Sequence, residues 1–393
     1  MKVGVYLDSY QPQDGGGYTM QTELFRALCR IYSEANHEFV IISEPDHRIA
    51  EECKAAGLAW LLDNRQAFIE QIAEFLVRSW PKLRNGFRWR ASLERTARDA
   101  EIDFMWFLGP RPRTIDMPYL TIVLDLQHRK QPWFPEVSEY SEWETRERLL
   151  GPFLRRAAGI IAGTQAGKKE IVKFFQVPET RIHILPHPTP DYIKSVSADR
   201  GAARRLPFPP GFLFYPAQFW AHKNHINLLL AIKMLADEGL VIPAIFTGSD
   251  FGNEKFVKQK ISNLGLDEQI SVMGFVDQSE LVSLYQNALA LTYVSYFGPE
   301  NLPPLEAFAL GCPVIAANVD GAEEQMNKAA LLVNPTDPDE IAGAIRKIYS
   351  DSQLRNDLIS RGKTRATQWT SEDFVRRVFG ILDDFEPMRR NWD

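Results

Sequence analysis

Ten short apolar runs punctuate the chain, each followed by a longer polar–apolar stretch. They fall at residues 3–7, 39–42, 104–108, 121–124 and 159–162, and again at 212–215, 244–246, 270–273, 289–294 and 313–316. Most are continuous rather than alternating, the pattern of strands buried on both faces of a parallel sheet. Between them, stretches such as 21–32, 166–175, 227–236, 279–287 and 339–348 repeat apolar residues at helical spacing. Strand–helix alternation of this kind predicts an α/β, doubly wound architecture.

At 393 residues the chain exceeds one ordinary hydrophobic core, so two domains are expected. The break falls at residues 195–210, SVSADRGAARRLPFPP, which is polar and then proline-rich. This predicts a Rossmann-like domain over residues 1–200, a second over 201–367, and a terminal helix over 368–393. That last segment contains WTSEDFVRRVFGILDDF, with Ser371 as a helix cap and an apolar stripe at Phe374, Val378 and Leu382. Two such domains in tandem bring the carboxyl ends of both sheets to one cleft, where ligands of these folds bind.

Composition narrows the function. Hydrophobic residues make up 45% and charged residues 24%, which excludes a disordered chain. The net charge of -6 gives no global field for nucleic acid. Cys29, Cys53 and Cys312 have no metal-ligand spacing and suggest no disulfide framework, which fits a reducing, cytoplasmic setting. MKVGVYLDSYQ is too short and too polar to predict a signal peptide, and no apolar run approaches a membrane span.

The loops after the strands hold the candidate chemistry. After the first strand, Gly15, Gly16 and Gly17 lead into a helix near Thr19, a place where backbone approaches a ligand closely and helix N–H groups face an anion. Neither the dinucleotide fingerprint nor a P-loop is present. Asp125 and His128 follow the run at 121–124; such a histidine either serves a sugar or phosphate or is a satisfied loop residue. Lys223 precedes a helix start, where cation and dipole together suit a diphosphate. His222 and His225 read as loop and cap residues. Gly248 and the Gly274-Phe275-Val276 turn end two further strands. FGPENLPPLEAFALGCPVI, residues 297–315, places Glu300 before and Glu306 after a proline-rich turn.

Taken together these pieces resemble a known family. PAQFWAHKNHINLLLAI, IFTGSD, ISVMGFVDQSELVSLYQNALALTYVSYFGPENLPPLEAFALGCPVIAANVDGAEEQ and AALLVNPTDPDEIAGAI are similar, in order, to retaining GT-B glycosyltransferases of the family-4 type, the glycosyl transferases group 1. The looser match before the linker comprises the triple-glycine loop, DLQH and IIAGTQAGKKEIVKFFQVPETRIHILPHP. The resemblance implies a nucleoside-diphosphate sugar bound mainly by the second domain. It implies that Lys223 contacts the diphosphate and Glu306 the ribose, and that backbone amides around Asn301 and Leu302 face the donor. Gly16 and Gly17 would approach from the first domain, and His128 falls near the family's histidine beside the donor sugar. It also implies a terminal segment that crosses back onto the first domain. Two positions depart from the pattern. Gly298 stands where the family has its first glutamate, with Glu300 two places later, and Gln218 stands where it has an arginine.

The expectation is therefore a hexosyltransferase that needs no metal and no other cofactor. It would act by front-face displacement on a hydroxyl of a saccharide or lipid-linked acceptor in cell-envelope polysaccharide synthesis. Alternatives are a nucleotide-sugar 2-epimerase on the same fold, or a non-catalytic nucleotide-sugar-binding subunit. Residues 78–98, RSWPKLRNGFRWRASLERTAR, interleave Arg and Lys with Trp and Phe. This suits either an anionic membrane surface, which would hold the protein at the inner face of the cell membrane, or a solvated helix with snorkelling arginines.

Overall fold

A computed structural model describes residues 1–63, 92–113, 115–195 and 206–392. The predicted membrane segment 78–98 lies outside the described residues as far as position 91, and so does most of the predicted linker.

Among the described residues the first sheet has seven strands: β1 (Lys2–Leu7), β2 (Glu38–Ser43), β3 (Ala59–Leu62), β4 (Phe104–Phe107), β5 (Tyr119–Val123), β6 (Gly159–Ala162) and β7 (Ile182–Ile184). Their order is β3-β2-β1-β4-β5-β6-β7. The second has six: β8 (Phe212–Pro216), β9 (Ala244–Thr247), β10 (Ile270–Gly274), β11 (Ala288–Tyr293), β12 (Val314–Ala317) and β13 (Ala330–Val333), in the order β10-β9-β8-β11-β12-β13. Every paired strand runs parallel to its neighbour. Helices form most of the crossovers, as is usual for parallel pairing, while β4 and β5 are joined by residues 108–118, which hold no helix among the described residues. In both sheets the order reverses beside the first strand, β1 or β8, and that is where a crevice opens at the carboxyl ends.

All ten apolar runs are strands. The unforeseen β3, β7 and β13 are edge strands with partly exposed residues, although β3 and β13 are apolar throughout. Helix Gly16–Ile31 begins earlier than the sequence pattern suggests. Gly15 makes this possible, because its φ of 75° and ψ of -128° suit a residue without Cβ. Gly16 and Gly17 therefore form the first turn of a helix rather than a loop before one.

Helix Ser371–Arg389 packs on Gly16–Ile31. Its stripe residues Phe374, Val378 and Leu382 are fully buried with Leu24, Leu28, Phe39 and Phe104. The cap is Thr370, one residue before the expected Ser371. The Thr370 hydroxyl accepts from Asp373 N–H at 3.1 Å, and the Asp373 carboxylate accepts from Thr370 N–H at 3.0 Å. This reciprocal box satisfies two groups at once, which a cap at Ser371 would not do.

Candidate active site

Between the facing carboxyl ends lies a cavity of about 500 Å³. Gly16 and Gly17 line it from the first domain. Gln218, Lys223, Gly248, Phe275, Val276, Glu300, Asn301, Leu302 and Glu306 line it from the second. These are the residues named from sequence, with one exception.

The exception is His128. It is fully buried, with Nε2 3.1 Å from a Glu147 carboxylate oxygen and its ring 6.5 Å from that of Phe175. Burial, and then the Arg146 charge, hold its pKa below the ordinary histidine value. The side chains that reach the cavity in its neighbourhood are Asp125, Gln127, Glu136 and Arg146. A four-residue helix, Gln127–Lys130, starts right after the strand end and turns His128 inward.

Lys223 lies in a short turn, Ala221–Lys223, ahead of helix His225–Asp237. Asn224 fixes that junction. It takes φ 59°, and its amide donates to the Val294 and Pro335 carbonyls at 2.8 and 2.7 Å. The Lys223 ammonium donates to the Tyr293 hydroxyl at 3.0 Å. Its partner is a neutral phenol, so the positive charge remains available to an anion. Gln218, the departure from the family's arginine, is engaged at both ends. Its Nε2 donates to the Gln13 carbonyl at 3.1 Å across the cleft, and its Oε1 accepts from Trp220 Nε1 at 2.9 Å. The second domain's cation at the cavity is therefore Lys223, while Arg146 and the helix start at Gly16 line it from the first domain.

Glu306 lies on helix Leu302–Leu310 and is 6% exposed. Oε1 accepts from the Tyr192 hydroxyl at 2.8 Å and Oε2 from the Tyr285 hydroxyl at 2.7 Å. Burial raises its pKa, and the two phenols oppose the rise. A carboxylate offers about four acceptor positions, so each oxygen keeps capacity for a hydroxyl in the cavity. Tyr192 stands just before the linker, and nothing in the sequence marks it.

The helix start ahead of Glu306 supplies fewer donors than expected. Asn301 N–H donates to the Gln325 Oε1 at 3.0 Å, and Pro303 and Pro304 carry no N–H. Leu302 remains as the amide at the mouth. Gly298 has a structural reason to replace a glutamate. Its φ is 136°, and a Cβ there would stand 2.6 Å from the Asn301 side chain. Glu300 turns away from the cavity centre toward the first domain, where its carboxylate accepts from His187 N–H at 2.9 Å.

His222, read from sequence as a loop residue, is a wall residue as well. Its Nδ1 meets the Glu136 carboxylate of the first domain, and its N–H donates to the same carboxylate at 3.1 Å. His225, read from sequence as a cap, is instead the first residue of the helix that Asn224 caps, and it is buried, its ring 4.7 Å from that of Phe219.

The order β10-β9-β8-β11-β12-β13, with Lys223 and Glu306 in one cavity, meets the sequence match at this point. Residues 203–365 match the family described as glycosyl transferases group 1. The second domain is thus similar to the glycosyl transferases group 1. Among curated relatives it is 27% identical to the O-antigen chain mannosyltransferase B of Escherichia coli over 248 residues, which are 61% of this chain and 64% of that protein. It is 26% identical to a D-inositol 3-phosphate glycosyltransferase of Nocardioides, over 61% of this chain and 56% of that one. The matches thus span less than two thirds of these relatives' own length. Among solved structures, the Anabaena protein Alr3699/HepE in complex with UDP and glucose superimposes with a TM-score of 0.70 at 17% identity, over 98% of this chain and all of that one. A glycosyltransferase from Rickettsia africae gives 0.70 at 15%, over 98% of both chains. The fold is GT-B.

Among the described residues no helix is long and apolar enough to cross a membrane.

Proposed function

We propose that the chain is a retaining glycosyltransferase that moves a hexose from a nucleoside-diphosphate sugar to a hydroxyl acceptor. The observation that carries this is the convergence of Lys223 and Glu306 on one cavity between two facing sheets. The ammonium of Lys223 stabilises the charge that develops on the leaving diphosphate, the kind of preorganised electrostatic term that dominates such catalysis. The start of helix Gly16–Ile31 adds N–H groups and the positive end of a 16-residue dipole. Glu306 accepts from the ribose hydroxyls with its remaining lone pairs. The reaction is a front-face displacement in which a leaving phosphate oxygen takes the acceptor's proton, without a metal. The acceptor is a saccharide or a lipid-linked saccharide of a cell-envelope polysaccharide, consistent with what the O-antigen relatives are named for. The basic segment at 78–98 would hold the enzyme at an anionic inner membrane face.

A binding-only role is favoured by one observation, the engagement of Gln218 with Gln13. The two readings separate in a donor-turnover assay with UDP- and GDP-hexoses. An enzyme hydrolyses its donor slowly without acceptor and keeps turning over in EDTA. Lys223→Ala should lower kcat roughly a hundredfold to a thousandfold. Complete loss of activity in EDTA would overturn the metal-free mechanism, and Lys223→Ala at wild-type rate would remove the proposed donor site.

A further inference from the structure

The Glu300 carboxylate lies in the other domain. Its side chain is 4% exposed, and Oε1 accepts from His187 N–H at 2.9 Å. It rests on Gly163, at the carboxyl end of β6. A Cβ on Gly163 would overlap Oε2 and stand 3.1 Å from Oε1. Gly163 is not among the positive-φ glycines, so its backbone conformation does not call for glycine. The space does, because a side chain at 163 and the carboxylate of Glu300 cannot occupy the same volume.

Two neighbouring contacts make the same crossing. Glu324, from the second domain, accepts from Gln165 N–H at 2.7 Å and Ala166 N–H at 3.1 Å, the open amides that begin helix Gln165–Phe175. Lys130 of the first domain bridges Glu170 at 3.1 Å and Asp320 of the second. The turn that carries Glu300 is also the turn that carries Gly298 and Leu302 into the cavity.

We infer that Glu300 is a positioning residue rather than a donor ligand: it seats the 297–302 turn in a socket formed by Gly163 and His187, so that the donor cavity takes its working shape only when the domains close. The inference deepens the transferase reading where it concerns turnover. The closure itself is independent of any ligand.

The test combines Gly163→Ala, Glu300→Ala and the double variant with small-angle scattering of the ligand-free protein, calorimetric titration of UDP and GDP, and donor turnover. Gly163→Ala should enlarge the radius of gyration and lower kcat about tenfold or more, while nucleotide affinity, set by Lys223 and Glu306, stays within about threefold. Removing the Glu300 carboxylate in the double variant should restore the compact form relative to Gly163→Ala, a non-additivity that only a direct contact produces. If Gly163→Ala fails to fold, Glu300→Gln against Glu300→Ala decides: the amide keeps an acceptor for His187 N–H and should remain closer to wild type. Wild-type scattering for Gly163→Ala and Glu300→Ala would overturn the socket. A Glu300→Ala protein that stays closed but loses nucleotide affinity would return Glu300 to the donor site. Altered closure with no nucleotide binding in any protein would leave the socket standing and remove the transferase reading.

Discussion

His225 shows what single residues contribute. It is wholly buried among Phe219, Tyr215 and Phe246, and among the described residues neither ring nitrogen has a hydrogen-bond partner. Burial lowers its pKa to about 3. The native state therefore refuses a proton that the unfolded chain accepts below the ordinary value of 6.5. The sign follows: this group costs stability progressively as pH falls from 6.5 toward 3, and nothing above that window. Replacing it with Phe keeps the ring packing and removes the unsatisfied nitrogens. His225→Phe should gain about 1–3 kcal/mol at neutral pH and flatten the acid side of the stability profile. Urea midpoints measured from pH 7 down to 4 check both, and an unchanged acid slope would refute the assignment. Lys223 and Glu306 belong to the same scale with the opposite lesson. Their partners are phenols, which orient a charge without neutralising it.

At the scale of elements, the parts of the fold with two buried faces were legible, since continuous apolar runs and helical spacing follow directly from burial. Three edge strands, β3, β7 and β13, were not, although the fourth, β10, was. The site divides along a similar line. Lys223, Glu306 and the glycine turns are local signals, a charge or a flexible residue at the end of a buried strand, and they line the cavity. Tyr192, Glu136 and His187 reach it only through tertiary packing, which no spacing encodes. His128 is the converse case. Its position after a strand is right for a site, but one helical turn points it inward. The terminal helix gives this scale its prediction. Phe374 is completely buried between the terminal helix and the first sheet. Phe374→Ala should cost about 3–5 kcal/mol and remove hydrogen-exchange protection from helix Gly16–Ile31, against which it packs. Loss of protection confined to the second domain would show that the helix does not support the first.

In the whole molecule, two sheets meet at one cleft. Each domain brings the carboxyl ends of parallel strands, and the second adds Lys223 and Glu306 at fixed places. The two departures from the family pattern also find their explanation here. Gln218 and Glu300 are used across the domain boundary, on Gln13 and on His187. What the second domain gives up in donor contacts it puts into holding the cleft together. The claim that everything else depends on is that this cleft binds a nucleoside diphosphate through Lys223 and Glu306. Calorimetric titration of UDP and GDP into the wild-type protein and into Glu306→Gln tests it most directly. The account predicts saturable one-site binding of at least one of the two nucleotides, weakened about tenfold or more in Glu306→Gln, a loss of ~1.4 kcal/mol. Absence of binding by both nucleotides at millimolar concentration, or equal affinity in wild type and variant, would contradict it.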